Sequence, residues 1–155
     1  MQYQDIENKI IDVLEKTPYC TLATANKKGE ISTAQMCLIN DGLTIYMQTD
    51  KSFEKVKNIK ENNFVAINCG AYNFKGRAKI VGHPKENKMF IDRIKKKYPD
   101  TYKHYTNLEG EVLIKVKLVE CKIWGINSNN SQSKEAILLI NFENKTTKEI
   151  LCDRM

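Results

Sequence analysis

"YCTLATANKKGEISTAQMCLINDGLTIYMQT", residues 19–49, holds three β-patterned runs divided by two tight turns. "YCTLATAN" reads as a strand, "KKGE" as a turn in which Gly29 supplies the permissive residue, and "ISTAQMCLI" as the antiparallel partner. "NDG" at 40–42 makes a second tight turn, and "LTIYMQT" alternates well enough to be a third strand. Turns this short join strands directly, whereas a parallel pair needs a long crossover, so the stretch predicts three adjacent strands in meander order.

Working outward, Ile6, Ile10, Val13 and Leu14 have helical spacing over residues 4–16, and Pro18 stops the pattern. After the third strand, Phe53, Val56 and Ile59 share one face of a short helix that frays at Asn62 and Asn63. "FVAINCG" (64–70) and "NFKGRAKIVG" (73–82) resume strand character. Pro84 sits where a helix can begin, and "KENKMFIDRIKKKYP" (85–99) turns Met89, Phe90, Ile94 and Tyr98 toward a core until Pro99 ends it. "EVLIKVKLVECKIWGIN" (111–127) alternates as a long strand, "SNNSQSK" (128–134) is a polar loop, and residues 135–151 read as a hairpin around "ENKT". Six or more meandering strands with interspersed helices predict an α+β, mainly antiparallel barrel in a single domain, residues 1–155. Neither G-x-G-x-x-G nor a P-loop sequence is present, which excludes the usual parallel nucleotide-binding sheets.

The composition, 41% hydrophobic in 155 residues, is sufficient for one core without metals or disulfides. No window approaches the roughly 18 apolar residues of a membrane span, and the N-terminal segment lacks a signal peptide's apolar run, so the expected location is the cytoplasm. Cysteines 20, 37, 69, 121 and 152 are widely spaced and form no C-x-x-C, which argues for reduced packing thiols and against zinc. Cys37, with no lysine or arginine adjoining it in sequence, reads as one of these. The charge of +6 is mostly lysine, a pattern that attracts anions in general but lacks the arginines typical of base readers.

"TDKSFEKVKNIKENN" (49–63) is the candidate anion site. With a helix starting near Phe53, Asp50 or Ser52 becomes the N-cap, and Ser52 and Lys55, three apart, converge over the unpaired amides of the first turn. Thr49 adds a hydroxyl from the strand end. Plain capping by Asp50 and Ser52, with Lys55, Lys57 and Lys60 on a solvated face, explains the same residues.

The ordered series of hairpin, strand ending in "QT", S-x-x-K-V-K-N-I-x-x-N-x-x-V-A-I and "FKGRAKIV" resembles the pyridoxamine 5′-phosphate oxidase-like flavoproteins, the FMN-binding split barrels, in their general stress protein and nitroimidazole-reductase branches. The resemblance runs from about Tyr19 through the second amphipathic helix and on to Trp124, where many members carry an aromatic. It implies a six-stranded split β-barrel with flanking helices and a homodimer holding FMN at the subunit interface. It also implies a phosphate on Thr49, Ser52 and Lys55, with Gln35, Met36, Cys37 and Leu38 along the flavin ring and Gln48 beside them. Two departures stand out. Gln35 replaces a family arginine, and Ser52-Phe53-Glu54-Lys55 replaces a serine–arginine–lysine run.

No histidine follows His104, so the arginine–x–histidine pair of true pyridoxamine phosphate oxidases is missing. The resemblance therefore implies a small FMN-dependent oxidoreductase or stress-related flavoprotein, drawing electrons from a reduced nicotinamide or a reductase. Rival expectations are a barrel binding deazaflavin F420 or haem, and a non-enzymatic basic module for nucleic acid. His83 and His104 read as surface or packing residues, Trp124 as core or flavin edge, and the basic face of "RIKKKY" (93–98) as solvated.

Overall fold

A computed structural model describes residues 2–125 and 136–151; the polar "SNNSQSK" loop, Cys152 and Arg154 lie outside them. Helix α1 (Tyr3–Lys16) is followed by strands β1 (Cys20–Ala25), β2 (Ile31–Met36), β3 (Ile39–Asp41) and β4 (Thr44–Asp50). Then come α2 (Glu54–Glu61), β5 (Phe64–Cys69), β6 (Tyr72–Ile80), a 3-10 turn at Pro84–Glu86 and α3 (Lys88–Lys97). A short α4 (Pro99–Thr101) runs into a π-helical turn, Tyr102–Thr106, before β7 (Glu111–Trp124), β8 (Ala136–Asn141) and β9 (Thr146–Leu151).

The strands form one sheet in the order β2-β1-β5-β6-β7-β4-β3, all paired antiparallel, and the β8–β9 hairpin extends it from the far half of β7. Its two ends, β2 and β3, are joined in sequence by Cys37 and Leu38 alone, so the sheet closes on itself. With β2 and β3 counted as arms of one interrupted strand, the barrel is the expected six-stranded split barrel with flanking helices.

The interruption corrects the continuous strand read over 31–39. Residues 31–36 pair with β1 while 39–41 pair with β4, and no straight strand reaches both neighbours. The meander is corrected with it, because the second neighbour of β4 is β7. The turns are as read: Gly29 has φ +83° and Gly42 φ +59°, and the Asn26 side chain accepts from the amides of Lys28 and Glu30.

Two apolar clusters sit on either side of the β4–β7 wall. Inside, Ile6, Ile10 and Leu14 of α1 pack with Leu22, Met47, Phe74 and Ile114, so the first helix seals the barrel interior. Outside, Phe90, Ile94 and Tyr98 of α3 cover Ile39, Tyr46 and Leu113. Helix α3 begins later than Pro84 suggested, because Asn87 caps it by accepting from the Phe90 amide, and His83 caps only the preceding 3-10 turn. Pro99 ends α3 but opens α4 at a position that needs no amide donor. The basic face of α3 is more than solvated: Arg93 donates to the Asn40 carbonyl, and Lys97 Nζ to the carbonyls of Leu14 (3.2 Å) and Leu38 (3.1 Å).

Candidate functional site

Strand β4 ends and α2 begins beside the open edge of the β1–β2 hairpin, and a cavity of about 260 Å³ lies between them. Its lining includes Thr24, Ser32, Thr33, Lys55 and the carboxylate-bearing Glu54, with Leu22, Ala34 and Phe53 as apolar walls. Thr24 and Ser32 are register partners of β1 and β2, and both hydroxyls accept from the Nδ2 of Asn58, at 3.1 Å each. Asn58, 2% exposed in the second turn of α2, thereby fixes the helix against the hairpin.

Lys55 is half-buried, and its Nζ donates to Thr49 Oγ1 at 3.3 Å and lies 4.8 Å from the centre of the Phe53 ring. Among the described residues no carboxylate forms an ion pair with it. Burial pulls its pKa below the ordinary lysine value, partly countered by the charge of Glu111. Glu111, 7% exposed and opposite Asp50 in the β4–β7 register, is pushed above the ordinary carboxylate value by burial and then by Asp50, against the pull of His83 and Lys55.

The cap differs from expectation. Phe53 is the N-cap residue and no side chain caps α2. Asp50 Oδ1 instead accepts from the amide (2.8 Å) and hydroxyl (2.6 Å) of Ser52, two bonds that hold its carboxyl below the usual range. Ser52 therefore precedes the helix, and the shared helical face with Lys55 does not form. Phe53, expected on the buried face with Val56 and Ile59, is 52% exposed, because as the cap residue it lies outside the helical period.

The other expected residues are dispersed. Gln35 is exposed on the outer face of β2, while the side chains of Met36 and Leu38 enter the core. The Leu38 amide and carbonyl already bond Tyr98 and Lys97. Cys37 is half-buried with Sγ 3.9 Å from Thr101 Oγ1, and Gln48 Oε1 accepts from Thr106 Oγ1 at 2.7 Å. Trp124, read as core or flavin edge, is 46% exposed at the end of β7. Thr24, Ser32 and Asn58 went unnoticed in the sequence; their signal is a polar side chain at an inward position of an otherwise apolar alternation. His83 Nε2 bonds the Leu108 carbonyl at 2.8 Å and His104 is exposed, so neither reaches this cavity.

Fold and site together define an antiparallel split barrel with a desolvated ammonium at the strand-to-helix corner. The profile of the family described as pyridoxamine 5′-phosphate oxidase matches residues 6–125, and the chain belongs to that family. General stress protein 26 of Bacillus subtilis is 40% identical over 70 residues, 45% of this chain and 49% of that protein, so the match spans about half the length of the curated relative. Among solved structures, Campylobacter jejuni ChuZ superposes with a TM-score of 0.69 at 14% identity, over 93% of this chain and 62% of that one. HutZ, the heme storage protein of Vibrio cholerae, gives 0.60 at 13% identity, over 76% and 91%. At these identities the structures speak to fold. No described helix is long and apolar enough to cross a membrane.

Proposed function

We propose that this protein is an FMN-binding flavoprotein, a homodimer with FMN at the subunit interface, that passes electrons from a reduced nicotinamide or a reductase to a small acceptor. The observation that carries the reading is Lys55, a half-buried ammonium whose hydrogen bond, among the described residues, goes to a hydroxyl and which lines a cavity with Thr24, Ser32 and Thr33. A half-buried cation that makes no ion pair among the described residues is costly, Glu111 offsetting only part of its burial, and a phosphate of the cofactor supplies a contacting negative charge. Lys55 holds that phosphate from the cavity lining, where Ser32 and Thr33 also lie, with the buried Thr49 hydroxyl orienting its ammonium; Ser52 reaches it only by giving up Asp50. When bound, FMN supplies the two-electron chemistry, and the chain's own task is to position it and exclude water.

Reconstitution tests this. FMN added to the purified protein should shift its visible bands and raise the melting temperature, and Lys55→Ala should weaken binding by about 1–3 kcal/mol, as for a lost charge-assisted hydrogen bond. Absence of any spectral or thermal response sinks the proposal. Unchanged affinity in the variant moves the phosphate elsewhere. The likeness to a heme storage protein favours haem as a second reading, which an intense Soret band in place of flavin bands would identify.

A further inference from the structure

We propose that Cys20 and Cys69 are a redox-modified pair, a dithiol that a peroxide converts to a disulfide inside one end of the barrel. The register of β1 with β5 sets Thr21 opposite Asn68, which carries Cys20, the first residue of β1, to Cys69, the last of β5. Opposed positions of antiparallel strands have Cα atoms about 4.5–5.5 Å apart. Disulfides span about 4.4–6.8 Å, so the bond can close without moving either strand far. Both side chains point inward into the same core cluster, at 3% and 5% exposure. Cys20 Sγ also lies 4.0 Å from Met47 Sδ.

One cation lies near both thiols. Lys97 closes this end of the barrel through the Leu14 and Leu38 carbonyls and, among the described residues, forms no ion pair with a carboxylate. The neighbouring Cys20 thiol, then the Lys97 charge, favour the thiolate at Cys69 against the effect of burial. Lys97 also favours the thiolate at Cys20, where the Cys69 thiol and burial oppose it. A thiolate is the nucleophile of sulfur chemistry, so the member of the pair that ionises attacks and the other resolves. Cys37 and Cys121 are pushed up chiefly by burial, and among the described residues neither stands opposite a cysteine in the strand register.

Where Cys69 is the member that ionises, its thiolate attacks one oxygen of hydrogen peroxide, the O–O bond breaks, and the departing hydroxide takes up the proton Cys69 had released, giving water and a sulfenic acid. Cys20 sulfur then attacks the Cys69 sulfur, the S–O bond breaks, and the Cys20 proton leaves with the hydroxyl as a second water. Two electrons pass from the thiols to the peroxide, and β1 becomes covalently tied to β5.

Purified full-length protein, without added cofactor, is treated with hydrogen peroxide, alkylated, digested without reduction and mapped by mass spectrometry. The expected product is a Cys20–Cys69 linked peptide, with two of the five thiols lost and recovered by dithiothreitol. Cys20→Ser should instead leave a sulfenic acid on Cys69 that dimedone traps. The proposal is overturned if no such peptide forms under conditions that oxidise a small free thiol, or if linkage runs through Cys37 or Cys152. It is equally overturned if dimedone labels some other cysteine in the variant. Since FMN takes no part, failure here leaves the flavin reading standing, and the reverse.

Discussion

At the scale of single residues, Glu111 is the group that acts against its own surroundings. Burial holds its folded pKa above the ordinary 4.5, so the folded chain keeps a proton that the unfolded chain gives up. Stability from this group is therefore fully present below 4.5 and lost as pH rises through the raised value. Glu111→Gln should melt higher than the wild type at neutrality and converge with it below 4.5; a constant difference across that range would refute the linkage. The site residues divide by whether local chemistry fixes them. Thr49 and Lys55 were legible because strand end and first helical turn are adjacent in sequence, and the structure brings them to 3.3 Å. Asn58 was not, since its partners Thr24 and Ser32 lie 34 and 26 residues away. Ser52, expected to cap the helix or meet an anion, instead donates its hydroxyl to the nearby Asp50 carboxylate at 2.6 Å.

At the scale of elements, the "FKGRAKIV" motif shows why a glycine sits inside a strand. The β6–β7 register shifts between Lys75 and Gly76, and a Cβ on Gly76 would lie 2.6 Å from Val116 Cγ1 and 2.8 Å from the Lys117 carbonyl oxygen. Neither neighbour can yield easily, one being core and the other backbone. Gly76→Ala should cost about 1–3 kcal/mol in denaturant unfolding, as overpacked sites do. Strand and helix identities could be read because apolar period and turn residues are local signals. Their ends were harder. The choice between Pro84 and Asn87 as the start of α3 is a competition between two caps, and the split of β2 from β3 is dictated by strands distant in sequence.

At the scale of the whole molecule, the outer face of β1, β2 and β5 is unusually bare. Ala23, Thr33 and Ala66 are aligned across the three strands, with Ile31 at 75% and Phe64 at 62% exposure near one end. A row of small residues edged by large apolar ones suits close approach of a second sheet, which is how the proposed dimer would bury them. Ile31→Glu should shift sedimentation from dimer to monomer and weaken FMN retention with it. A wild type that sediments as a monomer at micromolar concentration would remove the interface.

The two-residue junction at Cys37–Leu38 has a consequence for how the molecule breathes. The Leu38 amide is held by the Tyr98 hydroxyl, which in turn donates to the Pro18 carbonyl, so one phenol at the end of α3 fastens the barrel's junction to the α1–β1 linker. Deuterium can enter that amide only when the C-terminal turn of α3 lifts. The exchange rate at Leu38 is then a clock for opening of the end where Cys20 and Cys69 reside, and Tyr98→Phe should make it run faster while amides in the middle of β6 keep their protection.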